Sequence, residues 1–259
     1  MNIVVCVKYV PDAQSERSFE PDNTTERESV DGLLSELDEY AVEEALAIAE
    51  AGDAEVTVLT MGPEAAAAAV KKSLQMGAHK GIHINDEAIA GSDAVATSRV
   101  LAAAIDKIGG VDLVLTGLGS TDGTMSVVPA MLAERLGLPQ VTFASELSVD
   151  GGTVRIRRDG DVASETVEAS LPAVVSVTDQ INEPRYPSFK GIMAAKKKPV
   201  ETWSLADLGV DAGEVGLGAA WTTVVSIEQR PPRSQGEIVT DEGQGGAALA
   251  EFLTSRKFA

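Results

Sequence analysis

Four short apolar runs, each followed by a stretch with helical periodicity, constrain this 259-residue chain more than anything else in it. The runs are IVVCV (3–7), EVTVLTMG (55–62), GIHI (81–84) and VDLVLTG (111–117). The first and last are apolar at successive positions, the signature of a strand buried on both faces. Between the first two, Val42, Ala45, Leu46 and Ala49 share a helical face, with Glu43, Glu44 and Glu50 on the wet side. Asp38 is the expected N-cap of that helix, and Gly52 its left-handed C-cap. Pro63 suits the first turn of a second helix running to Leu74 or Met76. Ser92 or Asp93 caps a third, with Val100, Leu101, Ala104, Ile105 and Ile108 on one face. A fourth carries Val128, Met131, Leu132 and Leu136 inward and stops at Gly137. Strands alternating with helices predict an α/β fold with a mostly parallel sheet and flanking helices. Aromatic residues are only 4% of the chain, so the core must be built from Ala, Val, Leu and Ile.

The character changes after residue 140. Residues 140–170 lack a helical period, and DGG (150–152) and RDGD (158–161) are hairpin signals. Antiparallel edge strands are expected there, with LPAVVSV (171–177) returning to the core. Residues 8–32 are a long polar excursion, functional or mobile. Residues 200–220 read as a linker with a short helix near Leu205. WTTVVSI (221–227) reads as strand-like and ALAEFLTSRKF as a short helix. The expected organisation is an α/β nucleotide-binding domain over 1–199, including a loop at 182–199. An extended arm at 200–259 is too small to fold alone and is expected to pack on a partner.

Net charge is −19, which argues against nucleic acid and anionic membranes as partners. Acidity that merely keeps the chain soluble is the plainer reading. Cys6 is the single cysteine, so no intrachain disulfide forms. No apolar stretch is long enough to span a bilayer, and the N-terminus lacks a signal pattern; a cytoplasmic location is expected.

The strongest chemical signal is GLGSTDGT, Gly117 to Thr124, leaving the end of a buried strand. Glycines let an anion approach backbone N–H groups at a helix start, and Ser120, Thr121, Thr124 and Ser126 add hydroxyl donors. The loop is neither a Walker A motif nor GxGxxG, and an ordinary βα turn is the other reading. Asp122 is poorly placed beside a phosphate and is expected to cap the helix or meet a ligand's sugar. A β-branched residue at Gly123 is expected to empty the site. Lys8 either neutralises phosphate or is a solvated strand-end lysine; Cys6 reads as buried filler. His79 and His83 read as surface or turn histidines, with no metal site and no catalytic set around them. In the acidic chain, Lys196–Lys198 follow a proline-bounded loop with Phe189 and Met193, as docking surfaces do.

Taken together, VCVKYVPD, DEYAVEEAL (38–46), LTMGPE (59–64), MGAHKGIHI (76–84), VDLVLTGLGSTDG, LPQVTFAS (138–145), LPAVVSV and NEPRYPSFKGIMAAKKKP resemble the beta (small) subunit of electron-transfer flavoproteins. The resemblance runs along nearly the whole chain. It implies an adenine-nucleotide α-hydrolase-like fold and a heterodimer with an alpha subunit that holds most of one FAD. It implies an electron carrier rather than an enzyme, serving fatty acid β-oxidation. Electrons would pass from acyl-CoA and related dehydrogenases to a membrane-associated quinone oxidoreductase. It further implies a structural AMP contacted by Cys6, Ser35, Leu37, Asp38, Met61 and the loop Gly117, Gly119, Ser120, Thr121, Asp122, Gly123, Thr124, Met125, Ser126, Val127 and Val128. Partner docking falls on Arg185, Tyr186, Phe189, Ile192, Met193, Lys196 and Lys197, with Phe189 as the apolar anchor. The chain departs from relatives in having Ser35 where asparagine is common. Ala13 and Leu37 stand where some relatives place aromatic residues near the flavin. Asp122, Gly123 and Pro129 also fit bifurcating members, which hold a second FAD in place of AMP. A stand-alone nucleotide-binding signalling protein, homodimeric and without flavin, is the alternative of a different class.

Overall fold

The computed structural model describes residues 1–233, 236 and 238–258. Its strands are β1 (Asn2–Cys6), β2 (Tyr9–Pro11), β3 (Gly32–Leu34), β4 (Glu55–Met61), β5 (Lys80–Ile84), β6 (Leu113–Thr116), β7 (Gln140–Asp150), β8 (Thr153–Asp159), β9 (Ser164–Ser170), β10 (Ala173–Val177) and β11 (Val200–Trp203). Its helices are α1 (Glu36–Ala51), α2 (Ala67–Met76), α3 (Ala94–Ile108), α4 (Val128–Leu136), α5 (Phe189–Ala195), α6 (Leu205–Leu208) and α7 (Gly245–Ser255). Among the described residues, nine strands form one sheet in the order β11-β5-β4-β1-β6-β10-β7-β8-β9. The pairings from β11 to β7 are parallel; β7-β8 and β8-β9 are antiparallel, the expected edge hairpins.

The alternation of side chains along each strand divides the core. Ile3, Val5, Val56, Val58, Leu113 and Leu115 face α1 and α2, meeting Val42, Ala45, Val70 and Leu74. Val4, Leu59, Val114 and Val174 face the other way, toward Val100, Leu101, Ala104, Ile105 and Leu132. Both faces are therefore covered, which is why β1 and β6 could afford no polar position along most of their length. Small helix residues such as Ala41, Ala45, Ala69 and Ala104 are completely buried, so the helices lie close on the sheet without aromatic filler.

Several local expectations are corrected. Helix α1 begins two residues earlier than its supposed cap: Ser35 is the N-cap, and Asp38 is a buried residue of the first turn. Gly52 closes α1 in an extended rather than left-handed conformation. Pro63 precedes a 3-10 turn (Glu64–Ala66) that leads into α2. Asp93 caps α3 by accepting from the Ala96 N–H, and Gly137 ends α4 in the left-handed region, both as expected. Residues 200–220 are not a free linker: β11 hydrogen-bonds along β5, and Leu205 of α6 is buried. WTTVVSI forms no strand among the described residues; Asp93 instead accepts from the N–H groups of Trp221 and Thr222. The chain divides into two compact units, Met1–Val225 and Ser226–Ala259. The second contains α7, which leaves Leu249 and Phe252 exposed. No helix among the described residues is long and apolar enough to cross a membrane.

Candidate functional site

From β1 the chain adds β4 and then β5 on one side, and β6 on the other. The direction of winding thus reverses between β1 and β6, and the C-terminal ends of these strands open a crevice at such a switch point. Three segments meet there. Lys8 follows β1, Ser35–Asp38 open α1, and Gly117 follows β6. The Lys8 N–H donates to Asp38 Oδ2 at 2.8 Å, and the Ser35 N–H donates to the Lys8 carbonyl at 2.9 Å. A Cβ on Gly117 would lie 2.5 Å from the Leu37 carbonyl oxygen and 2.7 Å from Asp38 Oδ1, so only glycine fits. Gly119 has a Cβ position 2.6 Å from Ser126 Oγ, whereas Gly123 meets nothing closer than Ser120 Oγ at 3.3 Å. Gly117 is therefore the glycine that packing within the chain requires, whereas Gly123 has room for a Cβ beside its own loop.

The loop after Gly117 is longer than a simple strand–glycine–helix turn. Helix α4 starts only at Val128, without a side-chain cap, so Asp122 does not cap it. Thr124 and Ser126 adopt positive φ of 50° and 54°, a conformation costly for residues with a Cβ. The Asp122 side chain is only 1% exposed and sits between two cations: Lys8 Nζ at 2.9 Å and an Arg27 guanidinium nitrogen at 2.6 Å. Although burial pushes the other way, Lys8 and these hydrogen bonds hold the Asp122 carboxyl well below the usual carboxylate range. Lys8 is thus an ion-pair partner of the loop rather than a solvated lysine. Arg27 was not legible as a site residue, because it lies 95 positions away in the polar excursion, and nothing in its local sequence marks it.

Polar groups without partners surround this crevice. Ser35 Oγ, Thr60 Oγ1 and Thr121 Oγ1 are buried and make no hydrogen bond. A buried hydroxyl left unpaired costs about 1–3 kcal/mol. The N–H groups of Glu36 and Leu37, at the positive end of a 16-residue helix, also donate to nothing among the described residues. This donor set suits a phosphate-bearing ligand. Of the other candidate residues, Cys6 is buried at the end of β1, and burial pushes its thiol up to about 12, which makes it inert filler. Burial, ahead of its hydrogen bonds, pushes the Asp38 carboxyl up to about 7. Met61 ends β4 and is half-buried, as is Leu37; Met125 is exposed, and Val127 and Val128 are half-buried. Ala13 is exposed in the segment after β2. His79 is exposed, its Nδ1 accepting from the Val56 N–H, but His83 is buried on β5 with Nε2 3.1 Å from the Gly62 carbonyl oxygen. Among the described residues, no three His, Cys, Asp or Glu side chains group to hold a metal ion.

The second candidate surface is a short helix, not a loop. Ser188 caps α5 by accepting from the Gly191 N–H at 3.0 Å. Tyr186 is 92% and Phe189 80% exposed, and Ile192, Met193, Lys196 and Lys197 are exposed beside them. Two of the basic residues nearby serve the fold. Lys198 Nζ donates to the carbonyls of Leu74 and Gly77, capping α2. Arg185 lies in ion pairs with Glu43 and Glu50 of α1, so Glu43 is not on a simply wet face.

Comparison with known proteins adds a family to this geometry. The profile of the electron transfer flavoprotein domain matches residues 22–208. The electron transfer flavoprotein beta subunits of Mycobacterium tuberculosis and Mycobacterium leprae are each 49% identical over 262 residues, covering 99% of this chain and 98% of theirs. A caffeyl-CoA reductase–Etf complex subunit, CarD, of Acetobacterium woodii is 35% identical over 241 residues, 93% of this chain and 92% of that one.

Proposed function

The chain belongs to the electron transfer flavoprotein family, as a beta subunit, and on that premise we propose that it holds an AMP in the β1–β6 crevice and guides electron carriage by an alpha-subunit FAD. The observation that carries the nucleotide reading is the set of buried, unpartnered hydroxyls of Ser35 at the start of α1, Thr121 in the Gly117 loop and Thr60 near the C-terminal end of β4. Ser120, Thr121 and Ser126, with the first turn of α1, would hold the phosphate; Cys6, Leu37 and Met61 would form the apolar part of the wall. Asp122 keeps Lys8 and Arg27 in place and limits their net charge to +1, enough to attract a nucleotide phosphate without forcing the loop open. The bound FAD supplies the electron carriage between acyl-CoA or related dehydrogenases and a quinone oxidoreductase, in the cytoplasm. This chain's side chains bind and orient; they turn over no substrate. Of the arm expected over 200–259, the part beyond Val225, outside the first compact unit, is assigned to packing on the alpha subunit.

Acid extraction of the purified heterodimer, followed by chromatography, tests the nucleotide reading. One FAD and one AMP are expected. Two FAD and no AMP would transfer the crevice to a second flavin, and FAD alone would remove the nucleotide assignment.

Phe189 is assigned as the docking anchor, because an exposed phenyl ring at the head of α5 is the kind of side chain that fills a partner's pocket. Phe189→Ala is expected to raise the apparent KM of an acyl-CoA dehydrogenase for the heterodimer by about tenfold or more. FAD content should not change. An unchanged KM refutes the anchor.

A further inference from the structure

A seven-residue helix has little stability of its own in water, yet α5 carries Phe189 at its first position with the ring in solvent. What holds it is visible in the segment on either side. The Arg185 guanidinium donates to both Glu43 oxygens, Nε to Oε2 at 2.7 Å and Nη2 to Oε1 at 2.9 Å. It donates again to Glu50, through Nη1 at 2.5 Å and Nη2 at 3.1 Å. The Arg185 backbone N–H adds a bond to Glu43 Oε2 at 3.1 Å. Glu43 and Glu50 are seven residues apart on α1, two turns, so both carboxylates lie on one face and converge on one guanidinium. Asn182 donates to the Tyr40 carbonyl and to Glu44 on the same helix. Beyond the anchor, Gly191 lets α5 press on α2: a Cβ there would lie 2.4 Å from the Gln75 carbonyl oxygen.

We propose that Arg185 is a positioning residue, a two-carboxylate clamp that fixes the chain entering α5 so that Phe189 is presented in one orientation, rather than a residue that touches the docking partner. The proposal rests on the docking reading of Phe189. The electrostatics separate the two roles. A guanidinium that already faces two carboxylates leaves the cluster with a net charge of −1, so it has no positive charge to offer an acidic partner. Its benefit to docking is preorganisation: a partner meeting an already ordered α5 need not supply the ordering of residues 183–188.

The test uses the intact heterodimer, reduced by an acyl-CoA dehydrogenase with its acyl-CoA, and reads KM and kcat separately. Arg185→Ala and Glu43→Gln are each expected to raise KM by about fivefold to tenfold, with kcat within about twofold, and the double variant should be no worse than the worse single one. Arg185→Lys, which keeps the charge but cannot bridge both carboxylates, should recover only part of the loss. If Arg185→Ala raises KM while Glu43→Gln leaves it unchanged or lowers it, Arg185 touches the partner and the clamp is overturned. Hydrogen exchange of the amides of 186–195, with no dehydrogenase present, gives a readout that does not need turnover. Faster exchange there in Arg185→Lys, with α1 still protected, is expected; unchanged exchange overturns the clamp. A failure of the docking reading looks different, because then Phe189→Ala also leaves KM unchanged.

Discussion

Gly117→Ala is expected to lower the thermal midpoint of the heterodimer by about 6–12 °C, corresponding to about 3 kcal/mol, and to reduce its AMP content. The added Cβ would sit 2.5 Å from the Leu37 carbonyl oxygen, a backbone atom in the first turn of α1 that cannot swing aside. Either the loop after β6 or the start of α1 must move. Both carry the donor groups of the crevice, and the new Cβ would also lie 2.7 Å from Asp38 Oδ1. Gly123→Ala is the control, since its nearest neighbour would be the rotatable Ser120 hydroxyl at 3.3 Å. Its effect should stay within about 0.5 kcal/mol. Equal effects of the two substitutions on the thermal midpoint would refute the close packing of Gly117 on α1.

Asp38→Asn is expected to change how stability depends on pH. The folded-state pKa of Asp38 is pushed up to about 7 from an ordinary 3.8. Between these values the folded chain keeps a proton that the unfolded chain has released, so stability falls as pH rises through this window and levels off above it. Asparagine has no proton to release, and it still offers Oδ1 to the Lys8 N–H. The variant should therefore lack the decline between about pH 4 and 7 that the parent shows. Asp122 works in the opposite sense. Its folded pKa is depressed, so its contribution is present above about pH 4 and lost as pH falls below that. Melting midpoints of parent and Asp38→Asn heterodimers across pH 4 to 8 check this. Parallel curves would mean that Asp38 stays ionised in the folded protein throughout.

The parallel core was legible because its signal is local. Successive apolar residues in IVVCV and LVLT permit only a strand covered on both faces, and the heptad-spaced apolar residues of α1, α3 and α4 permit only helices lying on it. The caps at Asp93 and Gly137, the hairpins at 150–152 and 158–161, and the Gly117 loop were readable for the same reason: each depends on a few neighbouring residues. The blocks of family resemblance were legible too, and the comparisons bear that family out. Charges were not legible in this way. Lys8, Arg27 and Asp122 become one ion cluster only because β1, the excursion after it and the loop after β6 converge at the switch point of the sheet. Lys198 read as part of a basic run beside a docking surface, and Arg185 as a docking position only through the family resemblance; the tertiary structure turns Lys198 onto the end of α2 and Arg185 onto α1. Sequence determined the strands and helices of the parallel core up to Gly137, since backbone periodicity and side-chain hydrophobicity are properties of adjacent residues. Only the tertiary structure decided which charges are neutralised and which apolar residues remain in water, since long polar side chains find their partners wherever the packed elements bring them.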